Sequence, residues 1–433
     1  MLRYYIWTIG CQMNKAESQR IAAYLELLGY QLAPAPQNAD LIVLNTCVVR
    51  QSAEDKVLGT ISYLKGIKNG NPHLPILVTG CFVNSKVEQL ERRFPHIDLF
   101  FKPGDYPELL NWTQKRGIAV SKTDINLPLT KHATPNAFVP IIQGCNNFCS
   151  YCIVPYRRGR EKSRPLMNIV HEVSRLVKCG TKEVTLLGQN VNSYGHDLLA
   201  QPDLSDLLTE LYNIDGLARI RFLTNHPKDM SQKLIKTIVS LDKVCKHISL
   251  PFQAGDNDIL KAMRRGYTIE QYRQLVSTIR NYIPEVALST DAIVGFPGET
   301  DGQFEQTLAL LSEIRFDTVH VAAYSPRPGT IASRKYQDNV SPEIKKERFN
   351  KIEALQAKIA AEINSRLRGR IVEVLVEGKK RGKWYGRARS NKLVFFENDD
   401  DCSEQLVNIT INTTSPWALQ GEIKSKRLFK NKG

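Results

Sequence analysis

The sequence predicts an α/β protein in three parts: an N-terminal parallel-sheet α/β domain, a central open (β/α)6 barrel, and a small C-terminal β-barrel of OB-like type. Two observations carry this architecture. Strand-like apolar runs alternate with helical patterns twice, over the first 110 or so residues and again over about 200 in the middle, as parallel strands with covering helices do. Roughly the last 65 residues instead hold short strand-like runs separated by glycine and polar turns. A third observation bounds the size: 433 residues allow two to four domains at roughly 100 to 200 residues each. Hydrophobic residues at 42% and charged residues at 24% exclude a disordered tail protein or a fibre.

In chain order, the first strands are Tyr4 to Ile9, Leu41 to Leu44 and Ile76 to Val78, and each ends within three residues of a cysteine: Cys11, Cys47 and Cys81. The carboxyl ends of strands in an open α/β sheet face one crevice, so these three cysteines can converge although 36 and 34 positions separate them. Helix N-termini beside them would favour the thiolate. Residues 113 to 135 are polar, carry Pro128 and Pro135, and are expected to form a linker. The second alternation supplies Phe138 to Ile142, Glu183 to Leu187, Arg219 to Leu223, His247 to Pro251, Leu288 to Val294 and Thr318 to Ala323. Six such units suit an open barrel whose working face is the carboxyl end of its strands. Thr268 with Gln271 and Thr300 with Gln303 are capping boxes that start helices. Ser341-Pro342 opens a one-faced helix with apolar Ile352, Leu355, Ile359, Ile363 and Leu367, and Gly369 stops it. Ile371 to Val376, Leu393 to Phe396 and Leu406 to Ile411 belong to the small barrel. The expected domains are 1–117, 131–363 and 366–428.

Lysine and arginine exceed aspartate and glutamate by 15, and the segment from Asn364 onward holds 7 of that excess, which favours a polyanionic partner such as nucleic acid. No window approaches the 18 or so apolar residues of a membrane span, and the N-terminus lacks signal-peptide character, so a cytoplasmic protein without membrane contact is expected. Nine cysteines, an odd number, point to metal or redox chemistry rather than a disulfide framework. The segment Gln143-Gly144-Cys145-Asn146-Asn147-Phe148-Cys149-Ser150-Tyr151-Cys152 follows a strand and has the spacing C-x3-C-x2-C. Structural zinc wants four protein ligands, usually as two close pairs, and no second pair follows at such spacing. Three thiolates on a four-iron four-sulfur cluster leave one iron open for a substrate or cofactor. Three cysteines packed in a core is the plainer alternative, against which the surrounding Asn, Ser and Gly speak.

This segment resembles the radical S-adenosylmethionine (SAM) superfamily, in which C-x3-C-x-Φ-C, with Tyr151 as the aromatic Φ, holds a cluster that cleaves SAM. The resemblance extends to the methylthiotransferase family over nearly the whole chain. It is carried by Gly10-Cys11-Gln12-Met13-Asn14, Asn45-Thr46-Cys47-Val48-Val49-Arg50 and the run Tyr156-Arg157-Arg158-Gly159-Arg160-Glu161-Lys162-Ser163-Arg164-Pro165. It continues in Leu187-Gly188-Gln189-Asn190-Val191-Asn192-Ser193-Tyr194-Gly195, Arg264-Arg265-Gly266-Tyr267, Asp291 to Thr300 and Tyr324 to Thr330. The resemblance implies a [4Fe-4S] cluster on Cys145, Cys149 and Cys152, a second on Cys11, Cys47 and Cys81, and a C-terminal TRAM domain that binds RNA. It further implies that Tyr151, Gly188, Gln189, Asn190, Gln253, Val294 and Gly295 contact SAM. The chain departs from the family's commoner patterns after Cys81, with Phe82-Val83-Asn84, and at Pro251-Phe252-Gln253-Ala254-Gly255.

The implied reaction is methylthiolation at C2 of N6-isopentenyl(dimethylallyl)adenosine at position 37 of tRNA, with an electron donor as further partner and the enzyme acting as a monomer. The alternative reading is a sibling methylthiotransferase that acts on threonylcarbamoyladenosine in tRNA or on a ribosomal-protein aspartate. Arg157, Arg158, Arg160, Lys162 and Arg164 place five cations beside the cysteine loop, where they would meet phosphates of an anticodon stem-loop. Trp384, Tyr385, Phe395 and Phe396 lie among Lys379, Lys380, Arg381, Lys383, Arg387 and Arg389, the mixture that single-stranded RNA contacts use, with the phenylalanines expected in the core. Cys179, Cys245 and Cys402 match no motif and are expected to be buried or inert, and the histidines show no paired spacing. Because the motifs precede Leu367, the central barrel is expected to fold without the tail.

Overall fold

The computed structural model describes residues 1–83, 86–116 and 134–426. It divides into two compact units, the first comprising Met1–Ala133, Phe138–Phe148 and Cys152–Lys162, the second Thr134–Ala137, Cys149–Tyr151 and Ser163–Gly433.

In the first unit β1 (Arg3–Thr8), β2 (Gln31–Leu32), β3 (Leu41–Thr46), β4 (Ile76–Gly80) and β5 (Leu99–Phe100) form a five-stranded sheet in the order β2-β1-β3-β4-β5. All its pairings are parallel. Every residue of β3 is buried. Leu41 and Val43 pack with Ile21, Tyr24 and Leu25 of α1 (Gln12–Leu27), while Ile42 and Leu44 pack with Val57, Ile61 and Leu64 of α2 (Gln51–Gly70). The two-residue period of a strand thus fills both layers, which is why β3 reads as an unbroken apolar run. The edge strands β2 and β5 are two residues long and carry no periodicity of their own. Helix α3 (Val87–Arg93) precedes β5, and α4 (Tyr106–Lys115) follows it.

The expected linker begins later than its composition suggested. Thr113 is buried in the last turns of α4, its hydroxyl 2.8 Å from that of Tyr24. A helix with one polar face imitates a loop in composition. Residues 117–133 of the expected linker lie outside the described residues.

The strands β6 (Asn136–Pro140), β7 (Ile142–Gln143) and β8 (Lys162–Ser163) come next, β7 and β8 pairing with each other and bracketing the cysteine loop with α5 (Val154–Arg158). The second unit continues with α6 (Leu166–Lys178), β9 (Glu183–Leu187), α7 (Leu204–Tyr212), β10 (Arg219–Phe222), α8 (Gln232–Ser240), β11 (His247–Ser249), α9 (Asn257–Ala262), α10 (Ile269–Tyr282), β12 (Ala287–Val294), α11 (Asp301–Ile314) and β13 (Thr318–Ala323). Sheets run β10-β9-β6 and β11-β12-β13, and a parallel bridge between Ile220 and Val244 links β10 to the approach of β11. Both capping boxes form as read, at Thr268 and Thr300.

After α12 (Ile331–Lys335), Ser341 caps α13 (Pro342–Ser365) through its hydroxyl. Strands β14 (Ile371–Lys380), β15 (Lys383–Ala388), β16 (Leu393–Phe396), β17 (Leu406–Thr414) and β18 (Leu419–Lys426) close into a barrel in the order β14-β15-β16-β18-β17. Val374, Val376, Val394, Phe396, Val407, Ile409, Ile411 and Leu419 fill it. Among the described residues, no helix is long and apolar enough to cross a membrane.

Candidate active site

Cys11, Cys47 and Cys81 follow β1, β3 and β4, which are consecutive in the first unit's sheet. The ladder sets Thr8 opposite Asn45 and Thr46 opposite Gly80, and Cys81 N–H donates to the Thr46 carbonyl at 2.8 Å. Cys47 and Cys81 therefore leave neighbouring strands side by side. Gly80 makes this possible: its φ is +94°, and a Cβ there would stand 2.3 Å from Thr46 O. Buried Asn14 ties the strand ends together, donating to Asn45 Oδ1 at 2.8 Å and Thr46 O at 2.9 Å and accepting from Cys11 N–H at 3.3 Å. Of the three, only Cys11 directly precedes a helix, α1; α2 starts at Gln51 and α3 at Val87.

At Cys81 a side chain, not a helix end, supplies the positive charge. Burial pushes the Cys81 thiol up to about 11, against the pull of Arg158. Arg158 Nε donates to Cys81 Sγ at 3.2 Å and Nη1 to Glu17 Oε1 at 2.6 Å. Arg158 is only 8% exposed, so the expectation that it meets RNA phosphate is overturned. A charge run reads as one surface in sequence, whereas the turn of α5 sends this residue inward.

Among the described residues, no three His, Cys, Asp or Glu side chains close on a single metal ion. Three cysteines on adjacent strand ends, with a cation on one sulfur, form a thiolate donor set that fits a four-iron four-sulfur cube.

In the first unit, Cys145 N–H donates to Gly159 O at 3.2 Å, and the Phe148 ring lies 4.3 Å beneath the Arg160 guanidinium and edge-on to Tyr156. Gly144 has φ +82°, and a Cβ there would meet Arg160 O at 2.1 Å. Cys152 is half-buried. In the second unit, Ser150 anchors the loop: its N–H donates to Met263 O at 2.9 Å and its hydroxyl to Ala262 O at 2.7 Å. Buried Cys149 accepts from Arg265 Nη1 at 3.2 Å. Arg265, 4% exposed, also donates to Pro251 O at 2.9 Å, Tyr267 Oη at 3.1 Å and Tyr151 Oη at 3.4 Å.

The residues expected to contact SAM stand at strand ends of the second unit. Gly188, Gln189 and Asn190 follow β9; Gln253 follows β11 with φ +72°; Val294 ends β12 and Gly295 follows it. Val294 is fully buried, and Gly295 N–H is already bound to Glu299 Oε2 at 2.6 Å, itself paired with Arg348 at 2.7 Å. Four buried atoms after β9, β10 and β11 lack a hydrogen-bond partner: Asn190 Oδ1, Asn225 Oδ1, His226 Nε2 and Gln253 Oε1. Each such atom costs about 1 to 3 kcal/mol when desolvated and unpaired. A polar ligand at these strand ends removes that cost, so the residues present fit a cofactor as polar as SAM. His226 Nδ1 accepts from Lys228 N–H at 3.3 Å, which leaves its proton on Nε2. Burial, then Arg265 and Lys228, lower the His226 pKa to about 2, so the ring is neutral.

Of the remaining basic residues, Arg160 and Lys162 are exposed and Arg157 is half-buried, whereas Arg164 is paired with Glu172. On the small barrel, alternation puts Lys383, Tyr385 and Arg387 of β15 on the outer face with Phe395 of β16, Tyr385 standing opposite Phe395. Lys383 pairs with Glu397 at 3.0 Å and Arg387 with Glu377 at 3.7 Å. Phe396 is core as expected; Phe395 is not, and Trp384 joins the core with its Nε1–H on Asn398 O. Cys245 and Cys402 are buried, but Cys179 is exposed. Sequence reasoning quoted Arg265 within a motif without giving it a role, and passed over Glu17 and His226 because lone residues carry no spacing signal.

Residues 139–311 match the Radical SAM superfamily, residues 3–102 an uncharacterized protein family, UPF0004, and residues 365–424 the TRAM domain. A tRNA-2-methylthio-N(6)-dimethylallyladenosine synthase of Dehalococcoides mccartyi (strain CBDB1) is 50% identical over 97% of this chain and 98% of that one. A protein of the same name from Chloroflexus aurantiacus is 46% identical over 97% and 91%. Among solved structures, the radical SAM methyltransferase TsrM from Kitasatospora setae, with cobalamin and a [4Fe-4S] cluster bound, aligns with a TM-score of 0.55 at 14% identity, over 77% of this chain and 74% of that one. The cobalamin-dependent radical enzyme OxsB, with aqua-cobalamin and SAM bound, gives 0.53 at 12%, over 82% and 56%. Both share the fold.

Proposed function

From the premise that the chain belongs to the tRNA-2-methylthio-N(6)-dimethylallyladenosine synthase family of the radical SAM superfamily, we propose that it adds a methylthio group to C2 of N6-isopentenyl(dimethylallyl)adenosine at position 37 of tRNA. The observation that carries this reading is identity of 50% along nearly the full length of both chains. It is supported by Cys11, Cys47 and Cys81 standing at three consecutive strand ends.

C2 of adenine is an unactivated aromatic carbon, and two bound [4Fe-4S] clusters with SAM supply the radical and sulfur chemistry it requires. This chain's residues do the holding. Cys145, Cys149 and Cys152 bind one cluster, and Arg265 fixes Cys149. Cys11, Cys47 and Cys81 bind the other, on strand ends set by Gly80 and Asn14. Asn190 and Gln253 offer carbonyl acceptors to SAM, and neutral His226 offers one N–H donor. Arg157, Arg160, Lys383 and Arg387 meet RNA phosphates, and the target base leaves its stack to be reached. The division into 1–117, 131–363 and 366–428 serves cluster, radical chemistry and RNA in turn. A one-electron donor and a cytoplasmic monomer complete the proposal.

Purified, reconstituted enzyme should methylthiolate an anticodon stem-loop bearing isopentenyladenosine and spare unmodified and threonylcarbamoyl forms, read by mass spectrometry of the digest. Methylthio-threonylcarbamoyladenosine as main product sinks the substrate assignment.

A further inference from the structure

Each cysteine triplet carries one buried arginine on one of its sulfurs, Arg158 on Cys81 and Arg265 on Cys149, both at 3.2 Å. The two guanidiniums differ in what balances them. Glu17 grips Arg158 with Oε1 at 2.6 Å and Oε2 at 3.4 Å, the two side chains 7% and 3% exposed, so its carboxylate offsets the Arg158 charge, with Arg20 beside the same Tyr106 that Glu17 and Arg158 approach. Arg265 rests on a carbonyl and two tyrosine hydroxyls, with no carboxylate among its partners in the described residues. Its positive charge stays whole, and arginine does not shed its proton in a protein.

We propose that Arg158 and Arg265 are positioning residues for the two triplets and that Glu17 makes them unequal, so that the cluster on Cys145, Cys149 and Cys152 is reduced more easily than the cluster on Cys11, Cys47 and Cys81. The proposal rests on the two-cluster reading above. Hydrogen bonds to ligand sulfur and nearby net charge both set cluster potentials. At Cys81 the N–H donor is present and its charge is opposed by the Glu17 carboxylate; at Cys149 both act together, and burial strengthens the charge. Reduction adds one electron from the external one-electron donor and breaks no bond. An incoming electron is thereby directed to the cluster that must cleave SAM.

The test isolates each cluster in the full-length chain by replacing the other triplet with alanine, then follows one-electron reduction by electron paramagnetic resonance without SAM or RNA. Glu17→Gln keeps an amide in the carboxylate's place and removes its charge. It should shift the N-terminal cluster toward the reduced form by at least about tenfold, or about 59 mV for one electron, and leave the other cluster unmoved. Arg265→Gln should shift the Cys149 cluster toward the oxidised form by a similar factor, and Arg265→Lys, which keeps the charge, should restore it. Arg158→Lys, which keeps a cation opposite Glu17, should move the N-terminal cluster less than Glu17→Gln does. Iron-loaded Glu17→Gln and Arg265→Gln chains with unmoved potentials overturn the proposal, as does a wild-type N-terminal cluster that reduces first. A wild-type chain that binds no iron at either triplet overturns the two-cluster reading itself.

Discussion

Single atoms decide the chemistry at both triplets. Gly80 illustrates the tolerance: with φ at +94° and Thr46 O 2.3 Å from where a Cβ would stand, Gly80→Ala must push β3 and β4 apart at the point where Cys47 and Cys81 leave them. Iron bound by the reconstituted chain should fall by about half, the share of one of two equal clusters, while SAM binding persists. His226 makes a second case. Its pKa is lowered in the folded state, so below the ordinary value of about 6.5 the unfolded chain binds the extra proton and stability is lost as pH falls. From pH 6.5 to 5.5 that loss is about 1 kcal/mol for each histidine held neutral, and buried His247 adds in the same direction. Thermal midpoints measured from pH 7 to pH 5 should drop, and His226→Gln should flatten the drop. A midpoint unchanged across that range would contradict the neutral, buried ring.

At the scale of elements, β15 separates two jobs by alternation alone. Trp384, Gly386 and Ala388 face the barrel interior, while Lys383, Tyr385 and Arg387 face out beside Phe395. Their ion pairs with Glu397 and Glu377 are partly solvent-exposed, so exchanging those partners for phosphate costs little. Lys383→Gln with Arg387→Gln should lower the slope of log affinity against log salt by about 1.4 to 1.8 for two lost phosphate contacts, while SAM cleavage without RNA is unaffected. An unchanged slope assigns this face to solubility.

For the whole molecule, the seam between the small barrel and β9–β10 within the second unit matters most. Arg219, fully buried, donates to Glu373 Oε1 at 2.9 Å, Glu373 O at 2.9 Å and Arg387 O at 2.9 Å; Arg221 donates to Glu183 and to the carbonyls of Ala388 and Arg389. These bonds tie the central barrel to the tail, so a central barrel without the tail is expected to fold less stably than the full chain. A chain ended after Leu367 takes Glu373 and the carbonyls of Arg387, Ala388 and Arg389 away from Arg219 and Arg221, and leaves Arg219 beside Glu183, 3.5 Å away. Circular dichroism of that truncation should show a lower midpoint than the full chain, and Glu373→Gln an intermediate one. Equal midpoints would show the seam to be dispensable.

Local patterns carried the elements: alternation gave the strands their places, the capping boxes at Thr268 and Thr300 formed as read, the C-x3-C-x2-C spacing singled out Cys145, Cys149 and Cys152, and three strand ends singled out Cys11, Cys47 and Cys81. These depend on neighbours a few positions away, and the chain holds that information in order. The short edge strands β2 and β5 and the polar last turns of α4 escaped because they owe their form to pairing or packing with distant residues. The same reason governs the site. That β1, β3 and β4 are consecutive, that Arg158 turns inward to Glu17, 141 positions away, and that Arg219 reaches Glu373 across 154 are facts of topology. Sequence determined which residues could bind sulfur, iron and phosphate; the tertiary fold decided which charges they feel, because burial and partner choice depend on what the folded chain brings alongside.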